Sequence, residues 1–132
     1  YVMENLEDCF ETLGGLDAAQ SRYQQILTCI EENYRTPSFG LAELGALTYM
    51  SVPYLCTVFK SRNGKTVNSY ITGRRMAEAR RLLAQPDVTI AQIAQRVGFS
   101  DQNYFSKRFT KLYGVSPSKY REQLAAGGGE HP

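Results

Sequence analysis

The sequence has no tryptophan, one histidine and three cysteines, and each scarcity closes a chemical route. The lone histidine, His131, sits beside the C-terminus and far along the chain from every cysteine, so a Cys–His or Ser–His catalytic pair has little support. Cys9, Cys29 and Cys56 are scattered. They lack the close-spaced ligand pairs of a zinc site and are too few for a disulfide framework, which fits a reducing compartment. Cys29 lies beside an apolar helical stripe and reads as a small core residue. No apolar run approaches the roughly 20 residues needed to span a bilayer. No charged, apolar and small-residue series at the start resembles a signal peptide. A cytoplasmic chain away from membranes is therefore expected. It starts at Tyr1, not methionine, and is read as the C-terminal part of a longer protein.

What is present is an ordinary folded composition with an uneven charge. With 132 residues, 42% hydrophobic and 21% charged, the chain suits one domain or two small lobes sharing a helix. Its net charge of +2 conceals a gradient. Residues 1–20 hold Glu4, Glu7, Asp8, Glu11 and Asp17 and no Lys or Arg. Residues 52–121 hold thirteen Lys or Arg against Glu78, Asp87 and Asp101, a net +10. Such a basic block is the footprint of a nucleic-acid-binding surface, and the alternative is a solvated face of ordinary helices.

Helix punctuation divides the chain. Met3, Leu6, Phe10 and Leu13 suggest an acidic amphipathic helix over 1–13 that stops at Gly14-Gly15. Asp17 to Gln20 has the form of a capping box for a helix carrying Tyr23, Ile26, Leu27, Ile30 and Tyr34, broken by Thr36-Pro37-Ser38. A short helix with Leu41, Leu44 and Leu47 inward precedes another from Val52 to Asn63, with Tyr54, Leu55, Val58 and Phe59 apolar and Gly64 as its end. Thr66 caps a long helix to about Gln85, and Thr89 to Gln92 is a capping box for a short helix to Val97. In GFSDQNYFSKRFTKLYGVSPSKYR, residues 98–121, Ser100 is placed to cap a helix whose stripe is Tyr104, Phe105, Phe109 and Leu112. Gly114 ends that helix, and Ser116-Pro117 opens the last one.

The expected fold is all-α: two helix-turn-helix subdomains joined by a long connecting helix. The expected parts are an acidic linker helix at 1–16, the first subdomain at 17–65, the connector at 66–85, the second subdomain at 86–124 and a tail at 125–132. The two subdomains repeat. Leu41, Leu44, Gly45, Met50 and Ser51 match Ile90, Ile93, Ala94, Phe99 and Ser100 at a shift of 49. Tyr54, Leu55, Phe59, Gly64 and Tyr70 match Tyr104, Phe105, Phe109, Gly114 and Tyr120 at a shift of 50. A connector of about 28 Å is close to the 34–36 Å or so that separates paired recognition helices on one face of duplex DNA. Because the repeats differ, an asymmetric site is expected.

The stretch IAQIAQRVGFSDQNYFSKRFTKLYGVSPSKYR, supported by SVPYLCTVFKSRNG and RRMAEARRLL, resembles the C-terminal DNA-binding domain of AraC/XylS-family bacterial transcription regulators. The resemblance spans roughly residues 22–122. It implies sequence-specific binding of double-stranded DNA, regulation of transcription, contact with RNA polymerase and a separate N-terminal sensing or dimerising domain, with no cofactor and no enzymatic step. Carried onto this chain, the second reading helix offers Gln102, Asn103, Ser106 and Lys107 to base edges. Amides suit adenine, and an ammonium suits the guanine edge. The first offers Pro53, Cys56, Thr57 and, on the same face, Lys60. Thr57 departs from the arginine frequent in the family, implying weaker or more T-rich selectivity. Lys60, Arg62, Lys65, Arg108, Lys111 and Lys119 are assigned to phosphates or to solvent. Arg74 or Arg75 is given a structural role, pairing with Glu78 or capping carbonyls.

Two other functions are weighed. A helical protein-interaction module would be indifferent to nucleic acid. Similar helix-turn-helix domains occur in cysteine-dependent DNA-repair regulators, but that chemistry needs a cysteine cluster this sequence lacks.

Overall fold

The computed structural model describes residues 12–127, with side chains from 18 to 126. Among these residues are seven helices and no strand: α1 (Thr12–Asn33), α2 (Leu41–Thr48), α3 (Val52–Asn63), α4 (Val67–Leu83), α5 (Ile90–Val97), α6 (Gln102–Tyr113) and α7 (Pro117–Gly127). They form two compact units. The first holds α1 to Asn33 together with Gly40–Tyr70; the second holds Tyr34–Phe39 and the chain from Ile71 onward. The expected connector is thus shared, with α4 giving its first turn to one unit and the rest to the other.

In the first unit α1 packs on α2 and α3. Ile26, Ile30, Leu44, Leu55 and Phe59 are fully buried. At about 1.5–3 kcal/mol per large apolar side chain, these residues supply much of that unit's stabilisation. Phe59 is flanked by Tyr23 and by Tyr70, with ring centroids at 5.7 and 5.3 Å. In the second unit Met76, Ala79, Leu83, Ile93, Val97, Phe105 and Phe109 form the centre of one cluster, with α6 packed on α5 and α7. Phe109 meets Tyr120 edge-on at 5.6 Å, repeating the Phe59–Tyr70 contact at a shift of 50.

Several helix boundaries differ from the sequence expectation. Helix α1 runs through Gly14, Gly15 and Asp17, so the glycine pair does not end a helix and Asp17 does not start one. A helix interior tolerates glycine at roughly 0.5–1 kcal/mol each, which the rest of a 22-residue helix can absorb. The part of the proposed acidic helix before Thr12 lies outside the described residues. At the other end α7 continues to Gly127, three residues past Leu124. The cap of α6 is Asp101, not Ser100: its carboxylate accepts from the amides of Asn103 at 2.8 Å and Tyr104 at 3.4 Å. Since Ser51 caps α3, accepting from the Tyr54 amide at 3.3 Å, the true partners are Ser51 and Asp101 at a shift of 50. Ser100 is the extra residue of the second turn.

Other caps follow expectation. Thr89 and Gln92 form a reciprocal capping box, and the hydroxyls of Thr66 and Ser116 accept from the amides of Ser69 and Lys119, each at 3.1 Å. The turns within the two pairs also match. Met50 donates its amide to Gly45 at 3.0 Å, and Phe99 donates to Ala94 at 2.8 Å. Both are preceded by a positive φ, 60° at Tyr49 and 111° at Gly98.

Candidate nucleic-acid interface

In the second unit the candidate reading helix is α6. Phe105 and Phe109 face inward, with Tyr113 half-buried beneath them, so the buried line follows every fourth residue. That leaves Gln102, Asn103 and Lys107 exposed and Ser106 half-buried. Tyr104 and Leu112, expected in the apolar stripe, are 54% and 55% exposed. With aromatics at both 104 and 105, helical spacing admits either as the inner residue. Packing against Phe99 and Phe109, at centroid distances of 5.3 and 5.9 Å, selects Phe105.

In the first unit Leu55, Val58 and Phe59 are buried. Pro53 and Thr57 are exposed, and Cys56 is half-buried. Tyr54, placed inward from sequence, is 41% exposed, and Leu47 of α2 is 54% exposed while Thr48 takes the more covered position. The Thr57 hydroxyl donates back to the Pro53 carbonyl at 3.0 Å, so it already holds a partner within α3. Cys56, Thr57 and Lys60 border a recess of about 550 Å³ whose floor includes Val67.

The basic side chains divide by their partners. Lys60 donates to the Gly64 carbonyl at 3.0 Å, closing the end of α3, and Arg62 donates to Gln20 Oε1 at 3.3 Å. Lys119 lies 3.8 Å from Glu122, both well exposed. Lys65, Lys107 and Lys111 are exposed and Arg108 is half-buried, none with a hydrogen bond or ion pair among the described residues. Other cations serve the fold. Arg75 donates Nε to the Tyr34 carbonyl at 2.6 Å and Nη2 to the carbonyls of Thr36 and Phe39 at 3.0 and 3.3 Å. Burial pulls its pKa below the ordinary arginine value, a measure of how far it is drawn from water. Glu78 pairs instead with Arg81 and Arg35. Arg121, which the sequence reading left without a role, caps the end of α4 by donating to Leu83 and Gln85 carbonyls at 3.1 and 2.8 Å. A cation 38 residues past a helix end gives no local signal for such a contact.

Burial, helped by nearby Glu32 and opposed by an Asn33 hydrogen bond, raises the Cys29 pKa and keeps it protonated. Among the described residues no group of three His, Cys, Asp or Glu side chains could hold a metal, and no helix is long and apolar enough to cross a membrane.

A helix-turn-helix domain family matches residues 44–123, more than half of the chain. Regulatory protein PocR of Salmonella typhimurium is 38% identical over 114 residues, covering 86% of this chain and 37% of PocR. The chain belongs to the AraC/XylS family. Solved structures agree in fold. The C-terminal domain of the two-component response regulator yesN from Fusobacterium nucleatum superposes with a TM-score of 0.71 at 36% identity, covering 74% of this chain and 95% of that one. The DNA-binding domain of AdpA, solved in complex with a target DNA, gives a TM-score of 0.75 at 25% identity, covering 81% and 96%. The chain spans little more than a third of the length of the curated relatives it matches first.

Proposed function

We propose that this chain is the DNA-binding part of a bacterial transcription regulator that reads duplex DNA with two unlike helices. The observation that carries the reading is α6. Directly after a rigid Asp101 cap it exposes two amides, Gln102 and Asn103, and an unpaired ammonium, Lys107, above a fully buried Phe105 and Phe109. Those groups match what base edges in a major groove accept and donate. In α3 Pro53, Cys56 and Thr57 occupy the corresponding face and contribute mainly apolar contact, suited to thymine methyl groups. Lys65, Arg108 and Lys111 serve phosphates. Lys60, Arg62 and Lys119 do so as a second engagement, since each already holds a protein partner.

The repeat of turns at a shift of 49 and of helix caps at a shift of 50 supports two reading helices entering successive major grooves of a site without palindromic symmetry. The protein acts in the bacterial cytoplasm by binding, not by catalysis. Contact with RNA polymerase and control by an N-terminal sensing or dimerising domain complete the proposal, supported by the short share of its relatives that this chain spans. The test is duplex binding at rising salt. Affinity for a random duplex pool should fall steeply, with a log–log slope of about −0.9 per phosphate contact. Salt-independent binding, or none, would refute the reading.

A further inference from the structure

We propose that Tyr104, and Tyr54 at the matching position of the first unit, are phosphate-anchoring residues that seat the two reading helices on the duplex. The inference rests on the DNA-binding reading above. Both tyrosines stand three residues after a capping side chain, Asp101 or Ser51, and so occupy the first turn of a reading helix. Both are exposed, at 54% and 41%, beside a phenylalanine or leucine that is completely buried. Neither hydroxyl has a hydrogen-bond partner among the described residues.

Their rings are nevertheless held. Tyr104 leans on Phe99 with centroids 6.1 Å apart, and the Arg22 guanidinium lies 5.7 Å from the centre of Tyr54. A supported ring with an unused hydroxyl is a preorganised donor. Tyr104, Lys107, Arg108 and Lys111 follow the i, i+3, i+4, i+7 spacing of one helical stripe. The one carboxylate nearby, Asp101, is engaged by backbone amides. Beside the base-reading Lys107, this stripe therefore offers a phenol donor followed by two cations, Arg108 and Lys111, which suits neighbouring phosphate oxygens along one strand. In α3 the corresponding positions are Tyr54, Thr57, the buried Val58 and Ser61, none of them charged, and Arg22 of α1 brings a cation to Tyr54. A phenol donating to an oxyanion fixes position without releasing counterions, because it removes no charge from the DNA atmosphere.

The experiment compares the parent chain with Tyr104→Phe and Tyr54→Phe, each checked for an unchanged thermal midpoint, against a random duplex pool and a selected site. Each phenylalanine variant should bind every duplex roughly tenfold more weakly, the loss of one hydrogen bond to a charged group. Its sequence preferences and salt slope should match the parent's. Replacing single phosphates of the selected site by neutral methylphosphonates should reveal one position at which parent and Tyr104→Phe bind equally. Parent-like affinity for a phenylalanine variant would overturn the role of that tyrosine. Altered sequence preference, or strictly additive losses at every methylphosphonate, would overturn the phosphate contact. A parent that binds no duplex would instead overturn the DNA-binding reading, and this inference with it.

Discussion

Replacing Gly98 by alanine should destabilise the second unit far more than the same change at Gly114. Both glycines have positive φ, 111° and 81°, so an alanine at either pays about 1–2 kcal/mol of backbone strain. The surroundings differ. A Cβ at Gly114 would meet nothing within 4 Å, whereas one at Gly98 would lie 2.7 Å from the Tyr34 carbonyl oxygen and 2.6 Å from Arg75 Nε. The guanidinium cannot simply step aside, because it donates to three carbonyls left by the end of α1 and the following loop. Weakening one or two such charge-assisted bonds adds about 1.5–3 kcal/mol. We expect about 2.5–5 kcal/mol for Gly98→Ala against about 1–2 for Gly114→Ala. Urea unfolding followed by far-ultraviolet circular dichroism measures the difference. With a slope of about 1–3 kcal/mol per molar for a small protein, the gap should move the midpoint by roughly 0.5–3 M. Equal midpoints for the two variants would refute the close packing of this turn on Arg75.

Three further outcomes follow from the same geometry. Asp101→Ala should cost about 1 kcal/mol of stability, a typical cap loss, whereas Ser100→Ala should cost little; thermal melts of the two separate them. The Arg81 hydrogen bond and the charges of Arg81 and Arg35 depress the Glu78 pKa against an opposing effect of burial. A depressed carboxylate stabilises the fold above its unfolded value, so this contribution should be complete at neutral pH and lost as pH falls below about 4.3. Denaturation midpoints of Glu78→Gln should lack that acid-side decline. Finally, Lys107→Ala should change which sequences are bound, while Lys119→Ala should weaken all of them alike, and only slightly because Glu122 already shares that ammonium. Binding profiles across a random duplex library distinguish the two.

The local punctuation of this fold was legible in the sequence because caps and stops are local chemistry. Thr66, Thr89 and Ser116 begin helices, and Gly64, Gly98 and Gly114 end them, as their residue types require. Ambiguity entered where neighbouring residues could fill one role. Ser100 and Asp101 are both good caps, and only the extra residue in the second turn decides for Asp101. Tyr104 and Phe105 both fit an apolar stripe, and contacts from Phe99 and Phe109 decide it. The glycines at 14 and 15 looked like a stop but lie inside α1, because a glycine permits a helix end without imposing one. The structural arginines were the least legible. Arg75 and Arg121 reach carbonyls about forty residues away, a relation that no helical period encodes.

The central claim is that two unlike helices read two places on one duplex. Selection of binding sites from random DNA by the parent chain, Thr57→Ala and Lys107→Ala tests it most directly. The expected result is one non-palindromic site whose two specified segments lie about one duplex turn apart, with Lys107→Ala relaxing one segment and Thr57→Ala affecting only the other. A palindromic site, a single specified segment, or both substitutions altering the same base pairs would contradict it.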